Sequence, residues 1–414
     1  MSGSFQIARL GAQGDGVAET ETGPVFIPFT LPGEIVTASR GKDRADLIAV
    51  QQESPLRIAP ACRHFGVCGG CSIQHLDRQA YLDWKRGLVV QPLKSHGIVE
   101  AVVAELVPCA PHSRRRAAFT AKKIDSGVML GYYRAMSHDL FHMEECPVLL
   151  PSIVEARGIL GQLAFIIGKV GAAFRLTVTA TESGFDVAAF DCGAPTERVR
   201  RLASDFVINA GMARLSIDGE IIVEPRKPSL SIGDVAVIPP PGGFVQAVLE
   251  AEQAMAALVG AHLRRAKKVA DLYAGCGAFA LRLAKSSEVH AVEGDAAALT
   301  ALDRAYRFGT GLKRVTVERR DLERRPMTFK ELNAFDGLVF DPPRAGAEDQ
   351  SKQIARSDVP LVAAVSCNPA TLARDLAILI GGGYALKSVT PIDQFVWSAH
   401  VEAVALLEKP KRRR

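Results

Sequence analysis

The chain has 414 residues, 48% of them hydrophobic and 23% charged, with a formal net charge of +5. That length exceeds one typical domain, and the composition is that of a folded globular protein, which excludes a disordered or fibrous chain. The modest positive charge suits an anionic partner without demanding one. No apolar run of membrane-spanning length is free of charge and no apolar stretch follows a basic start, so a cytoplasmic protein with no membrane partner is expected.

In chain order, residues 1–54 alternate strand-length apolar segments with the turn signals Gly14-Asp15-Gly16, Thr22-Gly23-Pro24, Leu31-Pro32-Gly33 and Gly41-Lys42-Asp43, the pattern of a small antiparallel barrel ended by Pro55 and Pro60. A cysteine-bearing segment begins at Cys62, followed by a helical stretch through Tyr81-Leu82-Asp83-Trp84-Lys85 and by several β-like runs between residues 111 and 235. Residues 55–238 therefore read as a central α+β unit whose strand order the sequence leaves open. Arg114-Arg115-Arg116 with Lys122-Lys123, and the tail Lys409-Pro410-Lys411-Arg412-Arg413-Arg414, are basic enough to contact phosphates, or else are solvated surface.

Pro239-Pro240-Pro241-Gly242-Gly243 interrupts all periodicity and sets the last boundary. In residues 239–414, an alanine-rich helix over 247–263 precedes a strand over 268–273, a glycine loop, a helix over 278–284 and a strand over 289–293. Strands over 338–340 and 363–366 each carry a motif at the carboxyl end, where open α/β sheets bind ligands. The fold class is α/β, a Rossmann-like C-terminal domain.

Asp271-Leu272-Tyr273-Ala274-Gly275-Cys276-Gly277 places Gly275 and Gly277 where the chain turns from strand to helix beside a ligand. Glu293, at the end of the next strand, is placed to accept ribose hydroxyls, and Asp321 and Asp341 follow at the same rim. Ala280 stands where a dinucleotide fingerprint has its third glycine, so NAD is not excluded by the loop alone. Asp341-Pro342-Pro343-Arg344 lacks the aromatic fourth residue of amino methyltransferases, which counts against N6-adenine chemistry.

Cys367, in Val365-Ser366-Cys367-Asn368-Pro369, sits at a strand end before a helix whose amides would lower its pKa. A methyl transfer that needs a nearby thiol points to carbon 5 of a pyrimidine, which becomes nucleophilic only after a thiolate adds to carbon 6. Glu402 or His400, in His400-Val401-Glu402, would supply the base that removes the carbon 5 proton. Cys62, Cys68 and Cys71 follow Cys-x5-Cys-Gly-Gly-Cys, with Cys146 before Pro147 as a distant fourth ligand. Eight cysteines in a reducing compartment favour such roles over disulfides, and spacing alone leaves iron-sulfur and zinc both open.

Taken together these residues resemble the uracil-C5 RNA methyltransferase family over almost the whole chain, most strongly at 341–346, 366–375 and 400–402. The resemblance implies a TRAM-like RNA-binding barrel, a 4Fe-4S cluster on Cys62, Cys68, Cys71 and Cys146, Cys367 as nucleophile and Glu402 as base. It also implies S-adenosyl-L-methionine held by Gln246, Tyr273, Glu293 and Asp341. The family usually has asparagine where this chain has Val248. Barrel and cluster together look most like the branch acting on 23S ribosomal RNA, with tRNA as the alternative substrate. A monomer is expected. The rivals are a cytosine-C5 methyltransferase, a radical S-adenosylmethionine enzyme and a non-enzymatic iron-sulfur RNA-binding protein.

Overall fold

The computed structural model describes residues 2–135 and 137–410. The basic tail beyond residue 410 lies outside the described residues. Residues 2–52 form two three-stranded antiparallel sheets around one core of Ile7, Val25, Ile27, Val36 and Ala38. Their ladders do not run continuously into a ring: an isolated bridge, Phe26 with Arg44, joins them.

This unit is not free-standing. Its fully buried Leu31 packs with Ile73, Leu76 and Tyr81, and buried Glu34 pairs with Arg57 at 2.5 Å. The Trp84 indole also donates to the Gly11 carbonyl.

The central seven-stranded sheet runs in the order Glu220–Val223, Arg214–Ile217, Gly184–Phe190, Ala173–Thr181, Arg116–Ile124, Gly127–Tyr133, Leu140–His142. The helices Arg157–Ile167 and Glu197–Asn209 bury their apolar faces in its core. The order is not sequential because Ala173–Thr181 pairs with Arg116–Ile124 and not with the preceding strand Leu140–His142; Gly184–Phe190 pairs parallel to Arg214–Ile217 through a helical crossover, and every other pair is antiparallel.

The C-terminal sheet contains β1 (Lys268–Leu272), β2 (Glu288–Glu293), β3 (Val315–Arg319), β4 (Gly337–Phe340), β5 (Leu361–Ser366), β6 (Ala385–Ile392) and β7 (Glu402–Glu408), ordered 3-2-1-4-5-7-6. The first five are mutually parallel, and β7 runs antiparallel between β5 and β6. Continuous apolar strands such as Leu338-Val339-Phe340 are what a sheet covered on both faces requires. One face packs on the helix Leu249–Leu263. The other receives the helix Pro369–Gly381 and, from the N-terminal half of the chain, helix α1 (Arg78–Ser95), capped by the Asp77 side chain.

Segments on both sides of the central sheet in the chain thus pack onto the C-terminal domain. Val89, Leu93, Val103 and Leu106 join the C-terminal core, and the hairpin Leu230–Ile232 with Val235–Val237 packs on Cys276, Leu281 and Ala301. Between them Arg115, itself buried, pairs with Glu252 at 2.7 Å while Arg282 holds the other carboxylate oxygen at 2.8 Å.

Candidate active site

A cavity of about 720 Å³ opens at the carboxyl ends of β1 to β5, where the parallel strands leave a crevice. Gln246, Tyr273, Gly275, Glu293, Asp321, Asp341, Cys367 and Glu402 all line it. Its depth comes from the loop after β1. Tyr273 at φ 62 and Gly275 at φ 53 turn the chain sharply, and the Gly275 N–H donates to Glu293 Oε2 at 2.9 Å. That bond fixes one carboxylate oxygen of Glu293 at the rim; the other accepts the Asp295 N–H.

Gly277 stands apart from the other predicted cofactor residues. It is buried, at φ 96, and a β-carbon there would meet Leu281 and Leu302 at 3.0 Å. It allows the loop to close against the helices behind it and does not line the cavity.

At the far end Cys367 follows β5 and Glu402 opens β7, the neighbouring antiparallel strand. Burial pushes Glu402 well above the usual carboxylate range, with Asp341 reinforcing the shift and Gln394, which donates to Oε2 at 3.0 Å, opposing it. Burial likewise raises Asp341, to about 7, and Gln246 Nε2 reaches its Oδ2 at 3.3 Å. Each carboxyl group raises the other's pKa, because ionising one places a negative charge beside the second.

The expected lowering of the Cys367 pKa is not found. Asn368 does cap the helix Pro369–Gly381, yet burial and the negative charges of Glu402 and Asp341 push the thiol up to about 11, against a smaller opposing pull from Arg344. The helix end contributes partial charge at best, and burial together with the two acidic neighbours outweighs it.

Cys62, Cys68, Cys71 and Cys146 line a second, smaller cavity with His64, Gln74, Tyr132 and Glu145. Cys71 is pushed up to about 12 by burial and then by the other three thiols. Backbone N–H groups aim at the sulfurs: His64 at Cys62, Gly70 at Cys68 at 3.4 Å, and Val148 and Leu149 at Cys146. Among the described residues, no group of three or more His, Cys, Asp or Glu side chains is placed to hold a single metal ion.

A family model described as tRNA (Uracil-5-)-methyltransferase matches residues 310–410. An "Uncharacterized RNA methyltransferase" of Mesorhizobium japonicum is 65% identical over 100% of both chains. The 23S rRNA (uracil(1939)-C(5))-methyltransferase RlmD of Halomonas elongata is 33% identical over 98% of this chain and 89% of its own. The chain belongs to the RNA (uracil-C5)-methyltransferase family. Among solved structures, the Pyrococcus abyssi tRNA (uracil-54, C5)-methyltransferase in complex with S-adenosyl-L-homocysteine shares the fold at a TM-score of 0.76, over 98% of this chain and 99% of that one, with 22% identity. No helix among the described residues is long and apolar enough to cross a membrane.

For a uracil-C5 methyltransferase the sequence reading omitted several cavity residues. Gln394 and Phe395 belong to the loop between β6 and β7, and their only signal is a polar interruption, Asp393-Gln394, between apolar Pro391-Ile392 and Phe395-Val396. Arg114 and Arg116 also line the cavity, and burial lowers the pKa of both guanidiniums. Arg114 lies 6.0 Å from the Phe395 ring centre. Arg344, at the rim, contacts His400 Nδ1 at 3.3 Å. Val248 is the N-cap residue of the helix Leu249–Leu263, buried and without a side-chain cap. An asparagine there would favour that helix end, so the substitution bears on a cap rather than on the cavity lining.

Proposed function

We propose that this uracil-C5 RNA methyltransferase modifies a uridine of 23S ribosomal RNA through a covalent bond between Cys367 and carbon 6 of the base. The observation that carries this reading is the meeting of Cys367, Glu402 and Asp341 in one cavity with the Gly275–Glu293 loop. The Cys367 thiol gives its proton to solvent as its sulfur adds to carbon 6, and the electron pair moves to carbon 5 and the neighbouring carbonyl. S-adenosyl-L-methionine, held by Gln246, Tyr273, Gly275, Glu293, Asp321 and Asp341, supplies the methyl group when bound. Carbon 5 takes that methyl, Glu402 accepts the proton carbon 5 then carries, and the carbon–sulfur bond breaks to return Cys367. A buried carboxylate with raised pKa is a strong enough base for that proton, and Gln394 orients it.

Arg114 and Arg116 suit the phosphates on either side of a base flipped into the cavity. The domain reading is 1–54 for an RNA-binding TRAM-like barrel, 55–238 for the cluster-bearing unit and 239–414 for methyl transfer. Cys62, Cys68, Cys71 and Cys146 surround a shared cavity with amides aimed at sulfur and would hold a 4Fe-4S cluster there. Such a cluster would supply structural cross-linking, or electron transfer, to this segment. The protein is read as a cytoplasmic monomer.

Support for a 23S target comes from the ribosomal enzyme at 33% identity, whereas the tRNA enzyme shares the fold at 22%. Nucleoside mass spectrometry of ribosomal and transfer RNA from cells lacking this chain tests the reading. Loss of one 5-methyluridine from 23S RNA is expected; loss from tRNA alone moves the substrate, and no loss of 5-methyluridine in either overturns it.

A further inference from the structure

The loop from Asp393 to Val401 joins β6 to β7 and forms one wall of the active site: Gln394 and Phe395 line the cavity, and Glu402 follows directly. A loop of this length has little reason to hold one conformation by itself, and Trp397 within it sits at φ 60, a region unfavourable for a bulky side chain. What fixes it comes from α1. The buried face of α1 is Tyr81, Lys85, Val89 and Leu93, an i, i+4 stripe in which one member is a lysine.

The Lys85 ammonium is fully buried and lies 2.9 Å from Asp393 Oδ1, also fully buried. It further donates to the carbonyls of Phe395 and Ser398, each at 3.0 Å, and of His400. Tyr81 donates to Asp393 Oδ2 at 2.7 Å and accepts the Trp397 N–H at 2.9 Å. The Trp397 carbonyl accepts from the amides of Ser72 at 2.9 Å and Ile73 at 3.3 Å.

Burying an ammonium is expensive, and an apolar residue would complete the stripe at lower cost. What an apolar residue could not do is gather a carboxylate and three carbonyls of one loop around a single point. We propose that Lys85 is a positioning residue for methyl transfer: it clamps the loop from Asp393 to His400, and through it holds Gln394 against Glu402 beside Cys367. The inference rests on the reading of Glu402 as the base, and it concerns a buried residue that does not line the cavity.

The test uses the full chain, S-adenosyl-L-methionine labelled in its methyl group, and ribosomal RNA from cells lacking the protein. Lys85→Met leaves Asp393 buried without its cation, so Lys85→Met with Asp393→Asn is made alongside it, and Glu402→Gln is run in parallel. The double variant is expected to bind S-adenosyl-L-homocysteine within about twofold of the parent and to keep its KM for RNA. Its kcat should fall roughly 10- to 100-fold, the scale of a displaced catalytic group. Labelled methyl should accumulate in a covalent protein–RNA adduct on denaturing gels, as in Glu402→Gln.

A folded double variant with parental kcat overturns the clamp. So does a parallel loss of cofactor affinity, KM and kcat without adduct, which marks Lys85 as scaffold alone. If Glu402→Gln itself turns over normally, the base assignment fails separately, and kcat of the double variant still decides whether the loop needs Lys85. Should both lysine variants fail to fold, Tyr81→Phe, which removes one hydroxyl and little volume, decides by the same readouts: a several-fold kcat loss at unchanged cofactor affinity supports the clamp, and parental kcat overturns it.

Discussion

In the proposed mechanism Cys367 and Glu402 divide the chemistry between them, so their variants should fail differently. Cys367→Ser should lower methyl transfer at least roughly a thousandfold, the scale seen when a nucleophile is removed, and should form no covalent adduct. Glu402→Gln should still permit attack and methylation but block loss of the carbon 5 proton, so a methylated adduct should build up on denaturing gels. A Glu402→Gln enzyme turning over at the parent rate would transfer the role to His400. Asp341 adds a pH dependence. Burial raises it to about 7, so below that pH it is mostly protonated and neutral. A cationic cofactor prefers the ionised carboxylate. Affinity for S-adenosyl-L-homocysteine, which carries an ammonium, should therefore fall as pH drops through neutrality, by up to about tenfold per unit. Calorimetric titration across that range checks it, and Asp341→Asn should flatten the profile; a profile already flat in the parent counts against a direct contact.

The elements around the site depend on a few intolerant positions. Gly277→Ala combines φ 96 with β-carbon contacts of 3.0 Å to Leu281 and Leu302, so it should destabilise the chain by roughly 1–3 kcal/mol. Gly275→Ala meets nothing within 4 Å at φ 53 and should cost about 1 kcal/mol, while acting chiefly on cofactor affinity. Thermal melts paired with cofactor titrations separate the two, and equal melting temperatures for both variants would contradict this account. Arg115 ties the central sheet to the helix Leu249–Leu263 through Glu252. Arg115→Met leaves that carboxylate with Arg282 alone and should cost about 3 kcal/mol, because a buried charge loses half of its compensation.

For the molecule as a whole, the N-terminal sheets cannot be treated as a detachable RNA-binding module. Deleting residues 1–52 removes Leu31 from its contacts with Ile73, Leu76 and Tyr81 and strips Arg57 of its buried partner Glu34. The truncated protein should weaken in RNA binding more than in cofactor binding, but it should also melt earlier; unchanged RNA affinity would show that the N-terminal sheets have another task. The four-cysteine cavity makes a separate demand. Protein purified without oxygen should be brown and carry iron and acid-labile sulfide, whereas stoichiometric zinc without sulfide would replace the cluster with a zinc site.

The local signals legible in the chain were those whose physics is local. The glycine loop, the acidic strand end at Glu293, the Ser366-Cys367-Asn368-Pro369 turn and the Cys-x5-Cys-Gly-Gly-Cys spacing each announce a backbone shape or a reactive group within a few residues. Apolar runs with carboxyl-end motifs likewise determined the α/β class and the shared rim. Tertiary structure alone decided how distant segments act on one another. It placed α1 against a sheet whose strands begin at residue 268. It also buried Cys367 and set Glu402 and Asp341 beside it, reversing the pKa shift expected from the helix that follows it. Lys85 shows the reason most clearly: in sequence it is one polar residue on an ordinary helix, and only the fold surrounds its ammonium with the carbonyls of a loop some 310 residues away.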